Sequence, residues 1–132
     1  MELQSQTLIG HFVCNHQQFY LDRLTNRQMG KTYLLSESEP FVIHWQEGGE
    51  LAASQMQAQL EKETAEAIQV DYQGDLARVK VIYELTDGYL KCKVSLLEAK
   101  QAINFLDLSA MTFQEDAKFY PPKEQEAIPE MA

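Results

Sequence analysis

The chain has 132 residues, which suits one domain of ordinary size, about 100–150 residues, and is too short for two. Its composition, 45% hydrophobic, 23% charged and 10% aromatic, excludes a chain that is disordered throughout. With 20 Asp and Glu against 11 Lys and Arg the net charge is −9, which disfavours non-specific binding to nucleic acid or anionic membranes.

The first 46 residues predict a β-meander. Leu8, Gly10, Phe12 and Cys14 share one face of a first strand, because side chains alternate between the two faces of a strand. Three more β-rich runs follow at 19–24, 31–35 and 41–45, separated by turn residues. A helix over 16–26 is the alternative, since Asn15 and Gln18 have the spacing of a helix cap.

A long helix is predicted over 50–67, a segment rich in the helix formers Ala, Gln, Glu, Leu and Met. Its apolar stripe is thin, and its acidic side chains Glu61, Glu63 and Glu66 lie on the solvent side. A short strand over 68–72 follows.

The clearest element is a hairpin over 76–96. Alternating apolar residues on both sides of Asp87-Gly88 indicate two strands joined by a tight turn. The register that this turn imposes pairs Leu85 with Leu90, Tyr83 with Cys92, Val81 with Val94 and Val79 with Leu96.

A short second helix is predicted after the hairpin. Ser95 and Glu98 have the spacing of a capping box, and Ala99, Ala102, Ile103 and Leu106 follow at helical spacing. We therefore expect an α+β fold, a twisted antiparallel sheet covered on one face by two helices, over residues 1–113. Residues 114–132, acidic and with three prolines, predict a flexible tail.

Two motifs that could indicate chemistry lack the rest of their pattern. Gly30-Lys31-Thr32 resembles the end of a phosphate-binding loop, but Thr25 stands where the first glycine is needed and no strand-then-helix context surrounds it. His11, Cys14 and His16 are possible zinc ligands, but on a strand His11 points away from the other two. We expect neither a metal nor another cofactor.

A Cys–His catalytic pair is also disfavoured. Spacing alone leaves open a pairing of Cys14 or Cys92 with His16 or His44. Cys92, however, falls on the apolar face of the hairpin, where burial opposes formation of the thiolate.

A basic surface is the most unusual charge feature. Arg78, Lys80, Lys91 and Lys93 share the outer face of the hairpin in a chain of net charge −9. The ordinary explanation is that Lys and Arg on strands discourage edge-to-edge pairing of sheets. The functional interpretation is a surface for an anionic partner, with the acidic helix of a second copy, around Glu61, Glu63 and Glu66, as one candidate.

We therefore expect a non-catalytic protein-binding module, of adaptor, chaperone, inhibitor or immunity type, acting through charged surface patches. The alternative is a small-ligand domain with a pocket between helix and sheet, lined by Tyr83, Trp45, Phe12 and Phe19. The chain has only two cysteines and no signal-peptide pattern, which predicts the cytoplasm.

Overall fold

The computed structural model describes residues 1–15, 17–108, 111–113 and 125–126. These residues form strands and one short 3-10 turn, Ala53–Gln55, without any longer helix. The strands are β1 (Glu2–Gln4), β2 (Leu8–Asn15), β3 (Gln18–Asn26), β4 (Lys31–Ser38), β5 (Val42–Trp45), β6 (Glu50–Ala52), β7 (Gln57–Glu63), β8 (Ala67–Gln73), β9 (Ala77–Leu85), β10 (Leu90–Ala99), β11 (Ile103–Asp107), β12 (Met111–Phe113) and β13 (Gln125–Glu126).

The strands assemble into three sheets, so the prediction of an α+β fold is wrong. Sheet 1 has the order β1-β2-β3-β4-β12, sheet 2 the order β13-β10-β9-β8-β7, and sheet 3 the order β11-β5-β6. Neighbouring strands are antiparallel, except that β13 runs parallel to β10. Residues 114–124 and 127–132 of the predicted tail lie outside the described residues.

The predicted hairpin is confirmed in its register. Leu85 pairs with Leu90, Tyr83 with Cys92, and Val81 with Val94. At the turn, Thr86 N donates a hydrogen bond to Tyr89 O, and Gly88 adopts a positive φ of 123° that favours glycine. The four strands predicted in the first 46 residues are present as β2 to β5, but only β2, β3 and β4 pair as a meander, because β5 belongs to sheet 3. The alternative helix over 16–26 is wrong.

The long helix predicted over 50–67 is replaced by β6, the 3-10 turn and β7. Helix propensity is a weak preference, and pairing of β7 with β8 along almost its whole length outweighs it. β7 is an edge strand whose side chains are largely exposed, so its polar sequence lacks the apolar alternation that predicts a strand.

The second predicted helix is also wrong, because β10 continues through the supposed cap. Ser95 pairs with Lys80, and a bulge between Leu96 and Glu98 lets the strand reach Ala99. Ile103 then begins β11 opposite Trp45. The Ser95 and Glu98 spacing is therefore a coincidence of sequence and caps no helix.

One hydrophobic core joins the three sheets. Sheets 1 and 2 meet through aromatic rings, since Phe12 lies edge-on to Tyr83 with ring centroids 5.1 Å apart and stacks on Phe19 at 5.2 Å. Phe41, just before β5, lies edge-on to Tyr72 of β8 at 5.4 Å. Within the described part of the chain, no helix is long and apolar enough to cross a membrane.

Candidate functional site

The basic surface lies on the outer face of sheet 2, on β9 and β10. Arg78 and Lys80 belong to β9, which has β8 on one side and β10 on the other. Lys91 and Lys93 lie on β10, where they pair in register with Glu84 and Ile82. The structure thus places the four predicted cations on one face of neighbouring strands.

Arg78 is fixed in place by Asp71 of β8. Its Nε donates to both carboxylate oxygens at 3.1 and 3.2 Å, and its Nη2 donates to Oδ2 at 2.7 Å. Asp71 is 4% exposed, whereas the Arg78 side chain is 47% exposed. The hydrogen bonds to Asp71 and the charge of Asp71 raise the pKa of Arg78, so the guanidinium stays charged and half open to solvent.

Acidic side chains lie close to these cations. Asp71 pairs in register with Lys80, and Glu84 with Lys91. The charges of Glu61 and Glu98 also act on Arg78. The outer face of sheet 2 is therefore a mixed surface on which the four cations lie next to carboxylates.

Glu61, Glu63 and Glu66 are exposed, on β7 and the turn that follows it. A register shift between Leu60 and Lys62 makes Glu61 the extra residue of a bulge on this edge strand. Bulges and charges on an edge strand prevent pairing with other chains. Protection of the edge therefore accounts for Glu61 and Glu63 without a binding partner.

The aromatic residues of the predicted pocket fill the core instead. The described part of the chain offers no helix to form that pocket, and Phe12, Phe19 and Tyr83 are buried against one another. Trp45 is buried at the end of β5. The two buried tyrosine hydroxyls, Tyr72 and Tyr83, lie 3.1 Å apart, and Tyr72 also donates to Phe19 O at 2.9 Å.

A cleft of about 320 Å³ lies in sheet 1, where β3 and β4 separate. Pairing of these strands covers only Arg23 to Asn26 and their partners Leu34 to Lys31. Beyond it the walls of the cleft are formed by 18–22, by Leu35, Ser36, Ser38, Glu39 and Pro40, and by Ala53 and Ser54 of the 3-10 turn. Its volume is at the low end for ligand sites.

This cleft was not predicted from the sequence, although one signal for it is present there. Inward-facing residues of β3 fall at Phe19, Leu21 and Leu24, a spacing that breaks the two-residue period. The break is a bulge, since His11 pairs with Arg23 and Phe12 with Leu21, leaving Asp22 as the extra residue. The bulge coincides with the end of the β3–β4 pairing.

His11 takes part in a hydrogen-bonded row across sheet 1 that sequence reasoning also missed. Its Nδ1 lies 2.9 Å from Glu2 Oε2, and its Nε2 lies 3.0 Å from Thr25 Oγ1. Thr25 Oγ1 in turn lies 2.9 Å from Thr32 Oγ1. Glu2 and Thr25 come from separate strands, so no local spacing indicates this row.

The other candidate groups are dispersed. Cys14 is exposed at the end of β2, and His16 lies outside the described residues. His44 stacks on Phe105 with centroids 4.1 Å apart and has Nδ1 3.6 Å from Glu50 Oε2. Cys92 is buried, and desolvation raises the pKa of its thiol to about 12.

The described residues contain no group of three or more His, Cys, Asp or Glu side chains that could hold a metal ion. Gly30-Lys31-Thr32 forms a turn and the start of β4, with no helix after it to bind a phosphate group. No protein-family model, curated protein or solved structure matches this chain.

Proposed function

We propose that this chain is a non-catalytic protein-binding module that recognises an acidic protein segment through the basic surface, Arg78, Lys80, Lys91 and Lys93. The observation that carries the proposal is the position of Arg78 and Lys80 on β9, a strand with a neighbour on each side. Protection of a sheet edge explains cations on an edge strand. It does not explain Arg78 and Lys80, because β9 is not at an edge of the sheet.

The fixed orientation of Arg78 also supports a binding role. A guanidinium that a buried carboxylate already holds loses little conformational freedom when it binds a second carboxylate. The half-exposed Arg78 side chain leaves part of the fork accessible. Lys80 and Lys93 would add charge that attracts a partner from a distance.

The proposal extends to location and to the class of partner. Cys14 and Cys92 are both free, as is usual for proteins of a reducing cytoplasm. The net charge of −9 argues against non-specific binding of nucleic acid or of a membrane. A second copy of the chain is a partner to be tested, although its Glu61 and Glu63 lie on a protected edge.

The experiment is a titration with a fluorescently labelled oligoglutamate peptide, followed by anisotropy. We expect binding that weakens as salt is raised, since exposed charges farther apart than about 10 Å are screened at 0.1 M salt. The double variant Lys80→Glu with Lys93→Glu should weaken binding by about tenfold or more.

A matched control is Arg27→Glu with Lys100→Glu, which changes the net charge equally at exposed positions outside the basic surface. This control should bind like the unmodified chain. Equal loss in both double variants, or tighter binding of single-stranded DNA than of the peptide, would refute the proposal. Sedimentation of both double variants tests self-association through the same surface.

A further inference from the structure

In the cleft between β3 and β4, the described residues provide no strand partner for Leu21 on the side that faces β4. Phe12 N donates to Met1 O, so the backbone groups of Phe12 point away from β3. Leu21 pairs with Phe12, and in an antiparallel pair its own N–H and C=O must then point away from β2, toward β4. Among the described pairings, residues of β3 have partners on β4 only from Arg23 onward.

Phe19 supports this orientation, since residues two apart on a strand direct their backbone groups to the same edge. The carbonyl of Phe19 accepts the hydrogen bond of Tyr72 Oη, a side chain of sheet 2, where a neighbouring strand would otherwise supply the donor. Backbone N–H and C=O groups in folded proteins are almost always paired. The edge at Leu21 is therefore ready to accept an added strand.

The cleft combines an apolar floor with acidic groups at its rim. Phe19, Leu21, Pro40 and Ala53 are buried. The bulge brings Asp22 to the point where the strands separate, and Glu39 stands at the end of β4. Glu39 Oε2 accepts a hydrogen bond from Ser54 N at 3.0 Å, which holds its carboxylate against the 3-10 turn.

Asp22 pairs with the neighbouring Arg23 at 3.0 Å, but both side chains are more than 40% exposed. An ion pair so exposed contributes little and is readily exchanged for another cation. A floor that accepts an aliphatic stem, and a rim that accepts a positive charge, together match a Lys or Arg side chain.

We propose that this cleft binds a short extended segment of another protein, with its backbone paired to Leu21 and one Lys or Arg side chain against Asp22 and Glu39. The site lies in sheet 1 and does not depend on the basic surface of sheet 2. The cleft is proposed to bind a positively charged segment, whereas the basic surface is proposed to bind an acidic one. The two sites can therefore be tested separately.

The test is an NMR titration of the isotope-labelled chain with the capped tripeptide Val-Arg-Val. We expect shifts of the amide signals of Leu21, Asp22 and Ser38, and about tenfold weaker binding of the neutral peptide Val-Gln-Val. A Val-Arg-Val peptide methylated at its backbone nitrogens should also bind less tightly, because it cannot donate to the strand edge.

Glu39→Gln removes the charge but keeps an oxygen that can accept from Ser54 N, and Asp22→Asn likewise preserves shape. Each should weaken binding of the Arg peptide several-fold, whereas Glu37→Gln, an exposed neighbour outside the cleft lining, should not. Equal affinity for the Arg and Gln peptides, binding as tight for the free guanidine agmatine, or no effect of the two cleft variants would overturn the proposal. Lys80→Glu with Lys93→Glu should leave this binding unchanged.

Discussion

Asp71 on β8 and Arg78 on β9 form an ion pair in which the acid is buried and the base is half exposed. Three donor-acceptor distances between 2.7 and 3.2 Å join them diagonally across the two strands. The pair fixes one cation of the basic surface in a defined orientation. It also places a carboxylate beneath that surface, where an unpaired charge would be costly.

Removing either partner of this pair should have unequal effects on stability. Arg78→Met keeps the stem of the side chain but leaves the Asp71 carboxylate buried without its guanidinium. Asp71→Ala leaves an arginine that water can reach. We expect the urea midpoint to fall further for Arg78→Met, and a larger fall for Asp71→Ala would contradict this description of the pair.

Replacing each of the two buried tyrosines with phenylalanine should also destabilise the chain by unequal amounts. Tyr72 has one hydroxyl proton and donates it to Phe19 O, so Tyr83 must be the donor in the contact between the two hydroxyls. Tyr72→Phe leaves two groups unpaired and should cost about 2–3 kcal/mol, whereas Tyr83→Phe should cost about 1 kcal/mol. Denaturant unfolding of the two variants measures both values, and the reverse order would show that the donor assignment is wrong.

Because Cys92 is buried, the free energy of unfolding should fall as the pH becomes alkaline. Burial raises the pKa of its thiol to about 12, while an unfolded thiol ionises near pH 8.5. Above that pH the unfolded chain loses a proton that the folded chain keeps, so the free energy of unfolding falls as pH rises toward 12.

Between pH 8 and pH 10, below the ordinary ionisation of tyrosine near pH 10, Cys92→Ala should show less of this decline than the unmodified chain.

Exposed Cys14 provides an internal comparison for thiol reactivity. It should react with a disulfide reagent in the folded chain, whereas Cys92 should react only after unfolding. Equal reactivity of the two thiols would contradict the burial of Cys92.

The hydrogen bonds that His11 makes with Glu2 and Thr25 have a direction that can be observed. A carboxylate only accepts hydrogen bonds, so the neutral imidazole must carry its proton on Nδ1 toward Glu2, and Nε2 must accept from Thr25. Nitrogen-15 NMR at a pH where His11 is neutral should show the Nδ1–H tautomer. Glu2→Gln should increase the share of the Nε2–H form, and a predominant Nε2–H form in the unmodified chain would rule out this row.

Those parts of the fold that depend on local patterning could be predicted from the sequence. Alternating apolar residues and the Asp87-Gly88 turn determine the β9–β10 hairpin, including the pairing of Tyr83 with Cys92. The strands β2, β3 and β4, which pair in succession in sheet 1, were predictable for a similar reason, whereas the place of β5 in sheet 3 was not. Both depend on contacts between neighbouring segments of the chain.

Features that depend on distant contacts could not be predicted. The sequence of β7 resembles that of a helix, because an exposed edge strand carries charged side chains and few apolar ones. Only the pairing of β7 with β8 makes this segment a strand. The cations of the basic surface were recognised from the hairpin, but the buried Asp71 that holds Arg78 was not. The cleft arises from a bulge at Asp22, whose position is visible in the sequence only as a break in alternation.

The most direct test of the proposed function is an NMR titration of the isotope-labelled chain with the oligoglutamate peptide. The account predicts that shifts are largest at Arg78, Lys80, Lys91 and Lys93 on the outer face of sheet 2 and that they diminish as salt is added. Shifts confined to other surfaces, or none at peptide concentrations that saturate the anisotropy signal, would contradict it.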